Sequence, residues 1–185
     1  DTFTQTPGNT YQNISGNVAC DHYHRWPEDI RLMKELGVNA YRFSLSWSRI
    51  LPEGVGKVNQ KGLDFYKRLI DALLEAGIMP CATLYHWDLP QALEDQGGWA
   101  NRQVKDWYGE YAALMFRNFK GQIPMWFTLN EPIANWVGYG LGVFAPGHKD
   151  PKLGKAAMHH AMLAHGEGVQ AFRAEGMGDS QIGVV

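Results

Sequence analysis

Short apolar runs rich in β-branched and aromatic residues alternate along this chain with longer segments whose apolar residues recur at helical spacing. Asn39 to Ser46, Ile78 to Tyr85, Pro124 to Leu129 and Ile182 to Val185 read as strands. Between them, Leu63, Tyr66, Ile70 and Leu73 mark one buried helix face, as do Val104, Trp107, Tyr111 and Leu114, and later Met158, Met162, Val169 and Phe172. Pro27 suits a first helical turn, and Gly37 and Gly77 suit C-terminal positions of positive φ, each closely followed by a strand. The repeated order of helix, glycine and strand predicts βα units around a parallel sheet.

Four strands spaced some 40 to 60 residues apart are too few to close an eight-stranded barrel of about 250 residues. The expected fold is therefore α/β, part of a (β/α)8 TIM barrel, with residues 1–185 as a single incomplete domain. Its first and last strands should present open edges. The stretches that follow the strands, Trp87 to Trp99 and Trp136 to Pro146, are long and rich in Gly, Pro and aromatic residues. They lie on the side where such folds carry function.

Composition narrows the partners. An apolar content of 45% supplies a packed core, and a net charge of −2 offers no basic field for nucleic acid. No stretch approaches the roughly 20 apolar residues of a membrane span. Neutral small molecules are the expected partners. Cys20 and Cys81 form no metal or disulfide motif and read as reduced thiols, and a cytoplasmic location is expected.

The candidate chemistry lies at strand ends. Alternation puts Ala40, Arg42 and Ser44 on one side of the first strand, a small and polar side that suits a barrel interior. There Arg42 would supply a fixed cation for a carboxylate; the competing reading is an arginine salt-bridged to a helix. His86 and Trp87 close the second strand and combine a hydrogen-bonding ring with a flat apolar surface, which suits the hydroxyl edges and C–H faces of a sugar. Trp126, Thr128 and Asn130 are expected on one side of the third strand, so that Asn130 reaches the same mouth. Glu131 follows, and desolvation by Trp87, Trp126 and Trp136 would raise its pKa toward that of a proton donor. The bland reading is a glutamate at a helix N-terminus ahead of Pro132.

A metal hydrolase is the rival enzyme class, since His22-Tyr23-His24 imitates a His-x-His pair and His159-His160 adds two imidazoles. The first pair leads into a helix rather than ending a strand, and adjacent helical residues point about 100° apart. No metal is expected.

Tyr41-Arg42-Phe43-Ser44, His86-Trp87-Asp88-Leu89-Pro90 and Thr128-Leu129-Asn130-Glu131-Pro132 occur in this order on successive strands. With Cys20-Asp21-His22-Tyr23-His24-Arg25 and Gly142-Val143-Phe144-Ala145-Pro146-Gly147, they closely resemble glycoside hydrolase family 1, the β-glucosidase family, across essentially the whole chain. The resemblance implies the N-terminal part of a (β/α)8 barrel, roughly strands 2 to 5, and a retaining β-glycosidase with two carboxyl groups about 5 Å apart. It implies no cofactor. Glu131 matches the general acid/base, Asn130 the amide that binds the sugar 2-hydroxyl, His86 and Trp87 groups of the sugar subsite, and Arg42 the arginine that pairs with the nucleophile. A glutamate at 131 implies hydrolysis of ordinary O-glycosides, because the family's thioglucosidases carry glutamine there.

Two departures from the pattern matter. The family's nucleophilic glutamate belongs to a Glu-Asn-Gly motif that these residues do not contain, and Ile133 stands where many members carry tryptophan, with Trp136 as a candidate substitute in substrate binding. The non-enzyme alternative is a carbohydrate-binding half barrel. It would need a complementing chain or a second copy to supply the nucleophile.

Overall fold

The computed structural model describes residues 1–185 and contains four strands in a parallel sheet of order β1-β2-β3-β4. They are β1 (Ala40–Ser44), β2 (Met79–Tyr85), β3 (Met125–Leu129) and β4 (Gln181–Gly183). The helices are α1 (Thr2–Gln5), α2 (His22–Glu35), α3 (Trp47–Ile50), α4 (Gln60–Glu75), α5 (Gln91–Glu94), α6 (Val104–Phe119), α7 (Ile133–Trp136) and α8 (Pro151–Ala174). All four expected strands form, each within one residue of its expected start. β1 and β4 each end two residues earlier than expected, at Ser44 and Gly183; beyond β4, the Val185 amide donates to the Leu129 carbonyl and its carbonyl accepts from Glu131.

Local chemistry sets the helix ends. Gly37 and Gly77 have φ of 72° and 73°, and each closes its helix with paired 5→2 and 6→1 hydrogen bonds. Gly37 donates to Lys34 and Val38 to Met33; Gly77 donates to Leu74 and Ile78 to Leu73. The strand then begins within three residues. Asp150 caps α8 by accepting from the Lys152 amide at 2.8 Å, with Pro151 in the first turn. Pro27 departs from expectation: it lies in the second turn of α2, where its missing N–H removes a single bond while Ile30 still reaches the core.

The long helices α4, α6 and α8 cover one face of the sheet. Leu63, Tyr66, Ile70 and Leu73 are buried as their spacing predicts, and α6 buries Val104, Trp107 and Tyr111 together with Met115, Phe116 and Phe119. Each fully buried large side chain contributes about 1.5–3 kcal/mol.

For α8 the expected face is wrong. Its buried stripe is Gly154, Ala157, Ala161, Ala164 and Gly168, ending in Phe172, whereas Met162 is exposed. Close helix approach selects small residues here. A Cβ on Gly168 would stand 3.0 Å from the Tyr108 ring and 3.3 Å from the Thr128 methyl, and one on Gly154 would meet the Gly140 Cα at 2.8 Å.

The sheet edges at β1 and β4 have no strand partner. Along β1 runs an apolar groove of about 770 Å³ lined by residues that include Leu32, Leu36, Val38, Tyr41 and Phe43. No helix is long and apolar enough to cross a membrane. Both cysteines are free, Cys20 exposed and Cys81 buried.

Candidate active site

Tyrosines from the helix layer fix the carboxyl ends of the strands. The Tyr111 hydroxyl lies within hydrogen-bond distance of the Leu45 and Leu84 carbonyls, at 3.1 and 3.0 Å, and Tyr108 donates to the Thr128 carbonyl at 2.7 Å. Burial pushes both phenols well above their ordinary range, so they remain protonated donors. The strand ends β1, β2 and β3 are thereby tied to one helix. Side chains that leave those ends are held in fixed relation.

Arg42 rises from β1 on the face opposite the helices. Its Nε donates to the Thr83 hydroxyl at 2.9 Å, one Nη donates to the Asn130 side-chain oxygen at 2.7 Å, and the guanidinium lies 5.0 Å from the centre of the Phe127 ring. It makes no salt bridge to a helix. The other Nη has no hydrogen bond within the chain. Because Arg42 is a pure donor, it fixes the Asn130 amide with Oδ1 toward the guanidinium, and Nδ2 is left as a free donor.

Asn130 is 7% exposed and is held at three points in all. Its amide donates to the Tyr85 carbonyl at 3.0 Å, its carbonyl accepts the Trp87 indole N–H at 2.8 Å, and its side chain accepts from Arg42. Sequence alternation places it on the side of Trp126 and Thr128, and here the structure differs. Trp126 packs edge-on against Phe116 of α6, and Thr128 bonds to His165 of α8 at 2.7 Å, so both face the helices. Asn130 reaches the opposite face because β3 ends at Leu129 and the backbone turns. Trp126 therefore cannot desolvate Glu131.

Glu131 occupies that turn with φ of 44°, and Trp87 leaves β2 with φ of 72°. Both are left-handed conformations that side-chain-bearing residues seldom adopt and that cluster at functional sites. The Glu131 amide donates to the Val185 carbonyl at 2.6 Å, so the end of the β4 segment helps hold it. The Glu131 side chain belongs to an exposed residue.

His86 and Trp87 lie with ring centres 5.3 Å apart and planes at 74°. His86 Nδ1 is 3.0 Å from the Ser44 hydroxyl. Burial first, then the charge of Arg42, hold the imidazole below its ordinary range, with Glu131 pulling the other way. At neutral pH the ring is uncharged, and Nε2 remains free to bond a hydroxyl. Trp136 is not brought to this cluster: its indole packs against Gly140 and Gly154, where a larger residue at 154 would strike it. The histidine pair also diverges, as His22 engages Asp29 and His24 engages Asp21.

Sequence reading passed over three contributors. Thr83 and Phe127 orient Arg42, and only strand register reveals them: Phe43↔Ala82 and Ser44↔Thr83 between β1 and β2, then Thr83↔Phe127 between β2 and β3. Phe144 stacks on Trp87 with centres 5.3 Å apart and planes at 19°, although 57 residues separate them.

Asp88 follows the His86–Trp87 pair, and its carboxyl group bonds back to the His86 amide. Its Oδ1 is fully buried without a hydrogen-bond partner. Burial pushes its pKa up to about 6, against the Ser46 hydroxyl, neighbouring backbone amides and Arg49, which pull it down. Between its ordinary value of about 3.9 and about 6, the native state holds a proton that the unfolded chain has released. Stability therefore falls as pH rises through that window. Asp88→Asn is expected to flatten the slope and to gain on the order of 2 kcal/mol at pH 7. Denaturant midpoints from pH 4 to pH 7 would read this, and a variant with the parental slope would contradict it.

A parallel βα sheet with its polar groups gathered at the carboxyl ends of the strands is a segment of a (β/α)8 barrel of the kind that carries enzyme sites at that face. The whole of residues 1–185 matches Glycosyl hydrolase family 1. The chain belongs to that family. It is 55% identical to beta-glucosidase A of Thermotoga maritima and 54% identical to beta-glucosidase A of Acetivibrio thermocellus, in each case over 100% of this chain and 41% of the relative. The structure of the T. maritima beta-glucosidase in complex with castanospermine superposes with a TM-score of 0.97 at 54% identity, over 99% of this chain and 42% of that one. The chain thus spans about two fifths of the length of the relatives it matches.

Proposed function

We propose that the protein carrying these residues is a retaining β-glycosidase acting on terminal β-glucosides, and that this segment holds its proton-handling half. The carrying observation is the Arg42–Asn130 pair beside Glu131: a guanidinium bonded at 2.7 Å to an amide whose remaining N–H is free, next to a carboxyl group held by a strained turn. The names of the relatives and the sugar-like inhibitor bound to the T. maritima beta-glucosidase support the substrate class.

In this reading Glu131 donates its proton to the leaving oxygen as the glycosidic C–O bond breaks and a nucleophilic carboxylate bonds the anomeric carbon. It then takes a proton from water, whose oxygen displaces that carboxylate. The nucleophile belongs to a part of the longer protein outside these residues, and the free Nη of Arg42 pairs with it. Asn130 Nδ2 donates to the 2-hydroxyl, and His86 and Trp87 bind the remaining sugar edge and face. Double displacement retains configuration. Proton NMR of the first sugar released from 4-nitrophenyl β-glucoside is expected to show β-glucose ahead of mutarotation, and α-glucose appearing first would overturn the mechanism.

A further inference from the structure

What His86 can offer a sugar depends on which ring nitrogen carries its proton. Burial and the charge of Arg42 keep the ring neutral, so one nitrogen donates and the other accepts. Nδ1 faces the Ser44 hydroxyl at 3.0 Å, and neither atom has another hydrogen-bond partner within the chain. Ser44 is the last residue of β1, on the side of Arg42, and stands in register with Thr83 of β2. The Leu45 amide donates to the Thr83 carbonyl at 2.8 Å, so the hydroxyl is presented from a fixed backbone. The Trp87 ring braces the imidazole from its other side, edge to face.

Bond counting gives the direction of the Ser44–His86 bond. A hydroxyl has one proton to donate and two lone pairs to accept with. Were Nδ1–H the donor, the Ser44 proton would have no acceptor within the chain. With the hydroxyl as donor its proton lies on the bond to Nδ1, and the single imidazole proton falls to Nε2. Thr128 and His165 show the opposite case. The Thr128 hydroxyl donates to the Gly183 carbonyl at 3.1 Å, so its 2.7 Å bond with His165 Nδ1 runs from the ring to the oxygen. No carbonyl competes in this way for the proton of Ser44.

We infer that Ser44 is a positioning residue of the sugar subsite: its hydroxyl donates to His86 Nδ1, fixes the ring plane and places the proton on Nε2, so that His86 meets the substrate as a hydrogen-bond donor. The feature selected in the substrate is a sugar hydroxyl whose oxygen accepts from Nε2. Without the Ser44 hydroxyl, the ring is free to turn and to carry its proton on either nitrogen. This inference rests on the β-glycosidase reading, in which His86 binds the sugar.

Long-range proton–nitrogen NMR of the full-length protein, with isotopically labelled histidine, reads the tautomer directly; loss of signals in His86→Asn identifies those of His86. The parent is expected to show Nε2 protonated and Nδ1 bare, and Ser44→Val an exchanging mixture. Kinetics read the consequence, with 4-nitrophenyl β-glucoside and three monodeoxy analogues that lack the 3-, 4- or 6-hydroxyl. Removing the hydroxyl that His86 binds should lower kcat/KM about tenfold more in the parent than in Ser44→Val, the worth of one hydrogen bond. The other two analogues should be penalised equally in both proteins. Ser44→Thr, which keeps the hydroxyl on a side chain that suits a strand, should restore the parental penalty. A parent ring protonated on Nδ1, or equal penalties at all three positions in parent and Ser44→Val, would overturn the inference while leaving the glycosidase reading intact. A parent that hydrolyses no β-glucoside would overturn both. Should Ser44→Val fail to fold, Ser44→Ala takes its place, and the parental tautomer decides without any variant.

Discussion

Glu131→Gln is expected to lower kcat/KM for glucosides with poor leaving groups, such as methyl β-glucoside or cellobiose, by about 10²–10⁴-fold. With 2,4-dinitrophenyl β-glucoside the same variant should keep kcat/KM within about tenfold of the parent, because that leaving group departs without a proton. The second half of the cycle still needs a base, so kcat for the dinitrophenyl substrate should fall and the glycosyl-enzyme should accumulate as a burst. Azide, which attacks without surrendering a proton, should restore that kcat. The substitution is nearly isosteric at an exposed residue, and the backbone bond from Glu131 to Val185 is unaffected, so folding is preserved. Equal loss of kcat/KM with good and poor leaving groups would remove Glu131 from the proton-transfer role.

Loss of Arg42 should be almost as severe but with a different signature. Arg42→Met retains much of the stem and removes the fork, which leaves the Thr83 hydroxyl and the Asn130 oxygen without their donor. Asn130 is buried, so its unpaired oxygen costs about 1–3 kcal/mol in stability and frees the amide to turn. The nucleophile also loses the cation that the proposed mechanism places beside it. We expect kcat/KM to fall by about 10²–10³-fold for every substrate, irrespective of leaving group. The acid limb of the pH profile should move upward, since a carboxylate deprived of its cation ionises at higher pH. Arg42→Lys should recover little of this, because a single ammonium cannot span Thr83 and Asn130 as the planar guanidinium does. Parental kcat/KM in the lysine variant would show that Arg42 contributes charge alone.

These two residues were legible from the sequence for different reasons. Arg42 alternates with Tyr41 and Phe43 in a five-residue strand, and the polar side of that alternation is the side it occupies. Glu131 stood out by following a strand within a recognisable motif. Asn130 reached the expected mouth by an unexpected route, since simple alternation would have put it with Trp126 and Thr128 against the helices. Alternation is valid only while the chain stays extended, and β3 ends at Leu129. The packing of Trp136 was hidden for a related reason: aromatic character says that a residue seeks cover, not which surface provides it. That surface is the Gly140–Gly154 contact between α8 and the segment after α7.

The order of strands and helices, their closing glycines, the parallel sheet and the motif that carries Glu131 were all written in the amino-acid order. Those properties follow from periodicity and from backbone preferences acting over a few residues. Three-dimensional packing set the rest: which face each strand-end residue takes, the small-residue stripe that lets α8 approach, the Thr83–Arg42–Asn130 chain, and the cavity lined by Trp87, Asn135 and Phe144. Each of these depends on pairs of residues tens of positions apart and on turns such as that at Glu131, whose φ of 44° is imposed by surrounding contacts against the local preference of the chain.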